Sequence, residues 1–580
     1  MSEECQISVA PKNGQLARNV SIQFADGTKF HDCINVHSAK ARRALVRGAA
    51  EKLAVDVVDL EWLDDAIVDA ANEVDIRVAT ATKPTSGRKN QATQLMELAE
   101  GVELFHDPGQ VAYARISGDG HYEVVKLRTA AFRRWLAAAF YHVAGHAPSE
   151  GAIENALQVL EGNALYKGPE RRVHLRVAEH DGRIYVDLGD RSGNVIEITA
   201  DGWQLREESP VMFRRPKGML PHPVPVRGGS LDELRAFVNV APGDWPLVAA
   251  WLVAALQPRG PDVLLAVQGA QGSAKTTLCK TLRQIIDPHE APLRSDPRQL
   301  NDLVAMANNN RVVAIDNLSH MSDTVSDALC RIATAGGFTR PASGHDDEET
   351  ILDLQRPVIL CGIEELVKRG DLLDRSIVLN LPTIADNRRR LEVDLDAEFE
   401  EARPRIFGAL LSAASTAQRN RPFTRIDNPS RMADFEHWAT AAEPGLGLAP
   451  GEFLRANRAN RADAIEVVLS STPIGSALPS FLERAGGSWS GTATELLEQL
   501  NSTAEDALRR QKGWPKSAAA LSGILHRLET HLRAVGVEVR DKRRGHKGTK
   551  VIGDHQGGAG TKNSVSSVSS DRRWAAGGGR

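Results

Sequence analysis

A chain of 580 residues is too long for a single hydrophobic core, and its length predicts three or four domains. An apolar fraction of 42% and a charged fraction of 25% are those of an ordinary globular protein. The formal net charge of −4 excludes a general attraction for nucleic acid, so any basic surface has to be local. The five cysteines (Cys5, Cys33, Cys279, Cys330, Cys361) are scattered, with no CxxC pair and no histidine at ligand spacing. That argues against a disulfide framework or a zinc site and for a reducing, cytoplasmic setting. The opening MSEECQISVAPKNG shows no secretory pattern, and the longest apolar run, Trp245 to Leu256, predicts a buried helix rather than a membrane span.

In chain order, residues 1–80 predict a small α+β domain: a strand-like opening, then segments with apolar residues at helical spacing. Residues 81–94 are small and polar with Pro and Gly, and predict a linker. Residues 95–225 predict a second α+β domain, in which alternating strands are broken by His180-Asp181-Gly182 and Ser192-Gly193-Asn194. Residues 226–415 alternate apolar runs (VLLAVQ, RVVAID, RPVILCGI, SIVLNLP) with helical segments, the order of an α/β domain with a mainly parallel sheet. Residues 416–479 predict helix, residues 480–552 a compact helical module ending in two basic strands, and the Gly/Ser-rich residues 553–580 a disordered tail.

The stretch LLAVQGAQGSAKTTLCKTL carries most of the functional information. A parallel strand that ends in a Gly-rich turn and enters a helix aims several backbone N–H groups at one point, where the helix dipole is positive. Gly269, Lys275 and Thr276 meet the G-x-x-x-x-G-K-[ST] phosphate-loop pattern, with Ala274 in place of its second glycine. The predicted cradle for ATP is Gly269, Ala270, Gln271, Gly272, Ser273, Ala274, Lys275, Thr276 and Thr277. In it Lys275 reaches the β- and γ-phosphates and Thr276 holds Mg²⁺. Alanine still supplies the backbone amide and costs only where φ must be positive, so the left-handed residue is expected at Gly272 and Ala274 is expected to be tolerated. RVVAIDN, some forty residues on, predicts a strand whose Asp316 also supports Mg²⁺. Arg375, between two apolar runs, is a candidate arginine finger, its bland alternative being a salt bridge to Asp371 or Asp374. His345 to Glu349 (HDDEE) reads chiefly as a solvated acidic loop.

The segment from about Val263 to Pro382 resembles the AAA+ ATPase core of superfamily 3-type helicases, such as the primase-helicases of phages and plasmids. GAQGSAKTT, VVAIDNLSH, the GGFTR…DDEET segment, PVILCGIEEL and GDLLDRSIVLNLP carry the resemblance. It implies a ring of about six subunits on single-stranded or forked DNA, with ATP at subunit interfaces and Arg375 acting across them. It also implies a hairpin near Phe338, Thr339 and Arg340 that touches the strand being moved. Asn317 stands where such ATPases carry a catalytic glutamate, and Cys361 where they place a polar sensor. Lys275, Asp316, Asn317 and Arg375 are therefore the expected catalytic set, with hydrolysis less secure than binding.

From Glu505 to Val551 twelve Lys/Arg face five Asp/Glu, a local net charge of +7 in an acidic chain. Helices followed by two basic strands predict a winged-helix-like module, with Lys516, Arg527, Arg543, Arg544 and Lys547 on DNA phosphates. The combined expectation is an oligomeric DNA helicase or translocase of mobile-element replication, with no membrane partner. A non-translocating regulatory ATPase and a small-molecule kinase are the competing readings.

Overall fold

The computed structural model describes residues 6–554 except 12–17, 25–27, 37, 54–61, 82–89, 119–120, 319–320, 335–336, 342–348, 353, 363–366, 368 and 545–546. Most of the predicted linker, the predicted tail from residue 555 onward and His345 to Glu348 lie outside the described residues. The chain divides into two units, 1–97 and 98–580.

In the first unit, strands β1 (Gln6–Pro11), β2 (Arg18–Gln23) and β3 (Lys29–Ile34) form an antiparallel meander followed by helices α1 (Ala39–Leu53) and α2 (Trp62–Ala81). Val20 and Ile22, two apart on one sheet face, share a core with Leu45 and Ala49 of α1 and Leu63 and Ile67 of α2. Helix α3 (Gln91–Leu98) spans the boundary.

The second unit opens with an antiparallel sheet of β4 (Glu103–His106), β5 (Ala112–Gly118) and β6 (His121–Lys126), then α4 (Ala130–Ala144) and α5 (Glu150–Tyr166). Strand β7 (Val173–His174) precedes a second antiparallel sheet, β8 (Val177–His180), β9 (Arg183–Asp187), β10 (Val195–Thr199) and β11 (Gly202–Arg206), and pairs with β12 (Met212–Phe213) beyond it. The turns at Asp181-Gly182 and Gly193 have positive φ, as the hairpin signals predict. Helix α6 (Trp245–Ala255) is buried along its whole length, as its unbroken apolar run predicts.

The third region is built on four strands: β13 (Leu264–Gln268), then α7 (Lys275–Ile286), α8 (Leu300–Asn309), β14 (Val313–Leu318) and α9 (Asp323–Ala333). An antiparallel hairpin of β15 (Phe338–Pro341) and β16 (Glu349–Leu352) leads to β17 (Val358–Gly362), α10 (Gly370–Leu373) and β18 (Ser376–Asn380). The sheet order is β14-β17-β13-β18 and every pairing in it is parallel, so all four apolar runs become strands of the predicted kind. Both faces are covered, which is why the runs are continuous rather than alternating. Leu265 and Val267 of β13 pack with α6, α7, α11 (Glu392–Asn420) and α12 (Ala433–Ala442). Leu264 and Ala266 pack on the opposite side. Asn460 of α13 (Glu452–Ser471) covers the edge strand β18: its side chain accepts from Val378 N (3.1 Å) and donates to Val378 O (2.6 Å).

The remaining elements are α14 (Pro473–Arg484), β19 (Ser488–Gly491), α15 (Ala493–Thr503), α16 (Asp506–Arg509), α17 (Ala518–Ala534), β20 (Val537–Arg544) and β21 (Lys547–Asp554). Ser517 caps α17, accepting from Ala520 N at 3.2 Å. The predicted strand pair is present, and β19 joins it in the antiparallel order β19-β21-β20. Leu496 and Leu500 of α15 and Leu521, Leu525, Leu528 and Leu532 of α17 belong to the same apolar cluster as Leu264, Ala266 and Leu360 of the parallel sheet. The C-terminal module is thus built into the core of the region that precedes it. No single helix among the described residues is long and apolar enough to cross a membrane.

Candidate functional site

Strand β13 is central, and its C-terminal end opens into the Gly269–Ala274 turn. Gly269 has φ +146°, and a β-carbon there would stand 2.8 Å from Leu381 O and 3.0 Å from Ser273 Oγ, so only glycine fits. Ser273 is buried, and its hydroxyl donates to Ala270 O at 2.9 Å, closing the turn on itself. Ala270, Gln271, Gly272 and Thr276 are exposed along the mouth of the turn, with Thr277 half-buried beside them.

The expectation for Ala274 needs correction. Gly272 is left-handed (φ +81°) as expected, but Ala274 is left-handed too (φ +61°, ψ +34°). A β-carbon in that region costs about 1–2 kcal/mol. The position that departs from the glycine pattern is therefore one where glycine is conformationally favoured. Ala274→Gly should relieve that strain, and part of the gain is offset by the larger unfolded-state entropy of glycine. The expected result is a rise in melting temperature of about 2 °C, read by scanning calorimetry. A fall would show that residue 274 is not left-handed.

No side chain caps α7 at Ala274, so the first-turn N–H groups of the helix are left to the turn. Lys275 Nζ donates to Gly269 O (2.9 Å) and Ala270 O (2.8 Å), holding its ammonium across the turn. Thr276 Oγ1 donates to Asp316 Oδ2 at 3.3 Å, joining the start of α7 to the end of β14 across 40 residues of sequence. Asn317 is exposed and left-handed (φ +57°), a conformation its short amide tolerates, and its N–H donates to Asp316 Oδ1 at 2.8 Å. The register of β14 against β17 shifts between Ile315 and Leu318, so Asp316 and Asn317 sit at an irregularity of the kind that re-aims side chains.

Cys361, at the position where the resemblance implies a polar sensor, presents a buried thiol. It lies beside Val267 on β17, is 1% exposed, and belongs to the same buried cluster as Cys279 of α7. Strand alternation explains the difference, because Cys361 shares its face with Ile359 against the α7 core. Burial first, and Cys361 second, push the Cys279 thiol well above its ordinary range.

The far end of α7 is held by a buried charge cluster that sequence reasoning missed. Arg176 Nε donates to Asp287 Oδ1 (3.3 Å), Arg283 Nη2 to Asp287 Oδ2 (3.2 Å), and the N–H groups of Arg311 (2.9 Å) and Val312 (3.2 Å) to Asp287 Oδ2. Burial alone would raise the Asp287 pKa, but Arg283, Arg176 and the Val312 N–H hold it below the usual carboxylate range. Arg176 also donates to Asp187 O and Leu220 O, which couples the β8–β11 sheet to α7.

Residues 231–465 match the family model described as actinomycete integrative conjugative element replication protein, and residues 474–555 match that of the AICE RepA C-terminal domain. Together the two matches span more than half of the chain. The chain belongs to this replication-protein family. No curated protein matches it. Among solved structures it is distantly similar to the A-form apo NrS-1 C-terminal region (13% identity, covering 81% of this chain and 100% of that chain, TM-score 0.35). It is likewise similar to the SCCmec type IV Cch active helicase (12% identity, 78% of this chain and 93% of that chain, TM-score 0.40).

In this replication protein Arg375 lies at the opposite end of the sheet from the turn, its carbonyl accepting from Leu264 N at the start of β13. Five residues of strand separate the two ends, about 16 Å. The predicted salt bridges of Arg375 are absent among the described residues: Asp374 pairs with Arg461 (3.4 Å) and Asp371 with Arg369 (3.0 Å). Arg375 Nη1 instead donates to the Asp371 carbonyl, and its buried Nε has no hydrogen-bond partner. Arg340 is on β15 opposite Thr350, and its side chain lies outside the described residues. Lys516 and Arg527 are exposed, the latter on the face of α17 away from its leucines. Arg543, Arg544 and Lys547 flank the β20–β21 turn, Arg544 paired with Lys547, and their side chains lie outside the described residues. Arg214 and Arg215, which follow Phe213, are turned inward onto Asn308 and Asp187.

Proposed function

We propose that the Gly269–Ala274 turn is a phosphate-binding loop for Mg·ATP, and that this replication protein is an ATP-driven DNA helicase or translocase. The observation that carries the reading is the Thr276 Oγ1–Asp316 Oδ2 contact of 3.3 Å. It brings a hydroxyl and a carboxylate from separate elements to the N-terminus of α7, beside the Lys275 ammonium. Hydroxyl plus carboxylate suits a hard cation with oxygen ligands. The uncapped helix end and Lys275 suit phosphate. Mg²⁺ held by Thr276 and Asp316 would supply positive charge to offset the charge that develops on the phosphates. In this scheme Lys275 and the turn amides hold the triphosphate, and Thr276 and Asp316 hold the cation. Asn317 positions water but accepts no proton as a carboxylate would.

Arg375 is too far from the turn of its own chain to serve it, which supports action on a neighbouring subunit in a ring, with six subunits as the proposed number. Leaving its buried place beside Asp371 is then part of assembly. Helices α15 and α17 with the β19–β21 sheet form the proposed winged helix, and Lys516, Arg527, Arg543, Arg544 and Lys547 supply phosphate contacts. Arg340 on the β15–β16 hairpin is the proposed contact to the translocating strand. Asn317 favours one alternative, a switch in which ATP binding rather than turnover controls assembly.

ATP turnover by the full chain with and without single-stranded DNA separates the two. Stimulation supports the motor, whereas no stimulation together with no unwinding of a forked duplex leaves only the switch. Deleting residues beyond 480 is not a usable control, because α15 and α17 complete the core beneath β13. Lys516→Glu with Arg527→Glu is the better probe. It should weaken DNA binding and flatten its salt dependence by up to about two phosphate contacts. Unchanged affinity removes α17 from the DNA interface.

A further inference from the structure

A second cation stands over the Gly269–Ala274 turn from an element that the scheme above leaves idle. After β18 the chain returns across the turn as residues 381–392. It is pinned there at three points. A β-carbon at Gly269 would meet Leu381 O at 2.8 Å, so the two backbones touch. Asn239 Nδ2 donates to both Ser273 O (3.1 Å) and Pro382 O (2.6 Å), bridging the turn to the returning segment. Lys280 of α7 pairs with Glu392 at 2.9 Å. Between these pins lies Arg389, and a β-carbon at Gly272 would stand 3.2 Å from its Nη2. Its guanidinium is 57% exposed and its one ion pair among the described residues is with Asp386 (3.1 Å), which is 92% exposed. Such a pair contributes little and is readily exchanged for a better anion.

Resting on the nucleotide-site reading, we propose that Arg389 binds the terminal phosphates of a nucleoside triphosphate in the same chain. Lys275 and the Thr276–Asp316 pair approach from the start of α7, and Arg389 from the Gly272 side, so the turn is flanked by cations from two elements. A planar guanidinium offers two parallel N–H donors to phosphate oxygens, which suits the doubly charged terminal phosphate better than an internal one. Arg389 therefore supplies discrimination by phosphate number. Because it is anchored through β18 and Asn239, it also makes the position of the returning segment depend on which nucleotide is bound.

The test is equilibrium binding of ATP, ADP and AMP, with Mg²⁺, to the full chain and to Lys275→Ala, Arg389→Ala, Arg389→Lys and Asp386→Ala. Arg389→Ala should weaken ATP about tenfold, ADP less and AMP not at all, with an unchanged melting temperature. Arg389→Lys should recover part of the loss, and Asp386→Ala should bind ATP at least as tightly as the natural chain. Wild-type ATP affinity in Arg389→Ala, equal losses for ATP and AMP, or an Asp386→Ala defect matching that of Arg389→Ala would each overturn the proposal. Normal ATP binding by Lys275→Ala would overturn the nucleotide-site reading itself, a different outcome.

Discussion

Lys275→Ala is expected to weaken ATP binding about 100-fold and to abolish ATP turnover while leaving the fold intact. The magnitude follows from two charge-assisted hydrogen bonds to phosphate, each contributing about 1.5–3 kcal/mol, partly screened at an open site. Structural cost is small because the Lys275 Nζ partners are the carbonyls of Gly269 and Ala270, on the exposed side of the turn, where water replaces the ammonium. Titration with a fluorescent ATP analogue, alongside a thermal melt, measures both. The companion Asp316→Asn should keep nucleotide binding and lose its Mg²⁺ dependence, because it removes charge from the carboxylate that Thr276 touches. Equal ATP affinity in Lys275→Ala and the natural chain would mean that the turn only changes the direction of the backbone.

The architecture around this turn was legible because it depends on local pattern. Parallel strands buried on both faces require unbroken apolar runs, and VLLAV, VVAI, VILCG and SIVLN are such runs. Strand, glycine turn and helix then follow one another within some twenty residues. What escaped depends on partners far away in sequence. Whether residue 272 or residue 274 is left-handed depends on how the turn meets Leu381 and the α7 axis, and both proved to be. The resemblance identifies Cys361 as standing at a sensor's position, but which face its side chain takes is set by its register with Val267. Strand β19 reads Ser-Trp-Ser-Gly, too short and too poor in β-branched residues to signal itself, and it exists because β21 offers it an edge. Arg389 belongs to a run of three arginines whose composition suggests only solvent exposure. Its place over Gly272 comes from the path of the chain after β18.

Asp287→Ala should be strongly damaging to the second unit, at about 3–5 kcal/mol. The carboxylate accepts from two buried guanidinium groups and two backbone N–H groups, and its removal leaves the Arg176 and Arg283 charges buried without it. Arg283 retains Asn310 and Arg176 retains the Leu220 carbonyl, but neither neutralises charge. Replacing the cluster as a whole with apolar residues would cost far less, since the penalty arises from the unpaired charges. The pH dependence has a definite sign. The Asp287 pKa is depressed by folding, so its contribution is complete above the unfolded value near 4 and is lost as pH falls through the lower folded value. Urea unfolding of the natural chain should therefore show an acid-labile component that Asp287→Ala lacks, with the largest difference between the two proteins at neutral pH. The defect should extend beyond α7, because Arg176 ties the same carboxylate to the β8–β11 sheet. Fluorescence from Trp203 on β11 should thus report loss of that sheet together with loss of ATP binding. Independent melting of the two would show that the Arg176–Asp287 link carries no coupling.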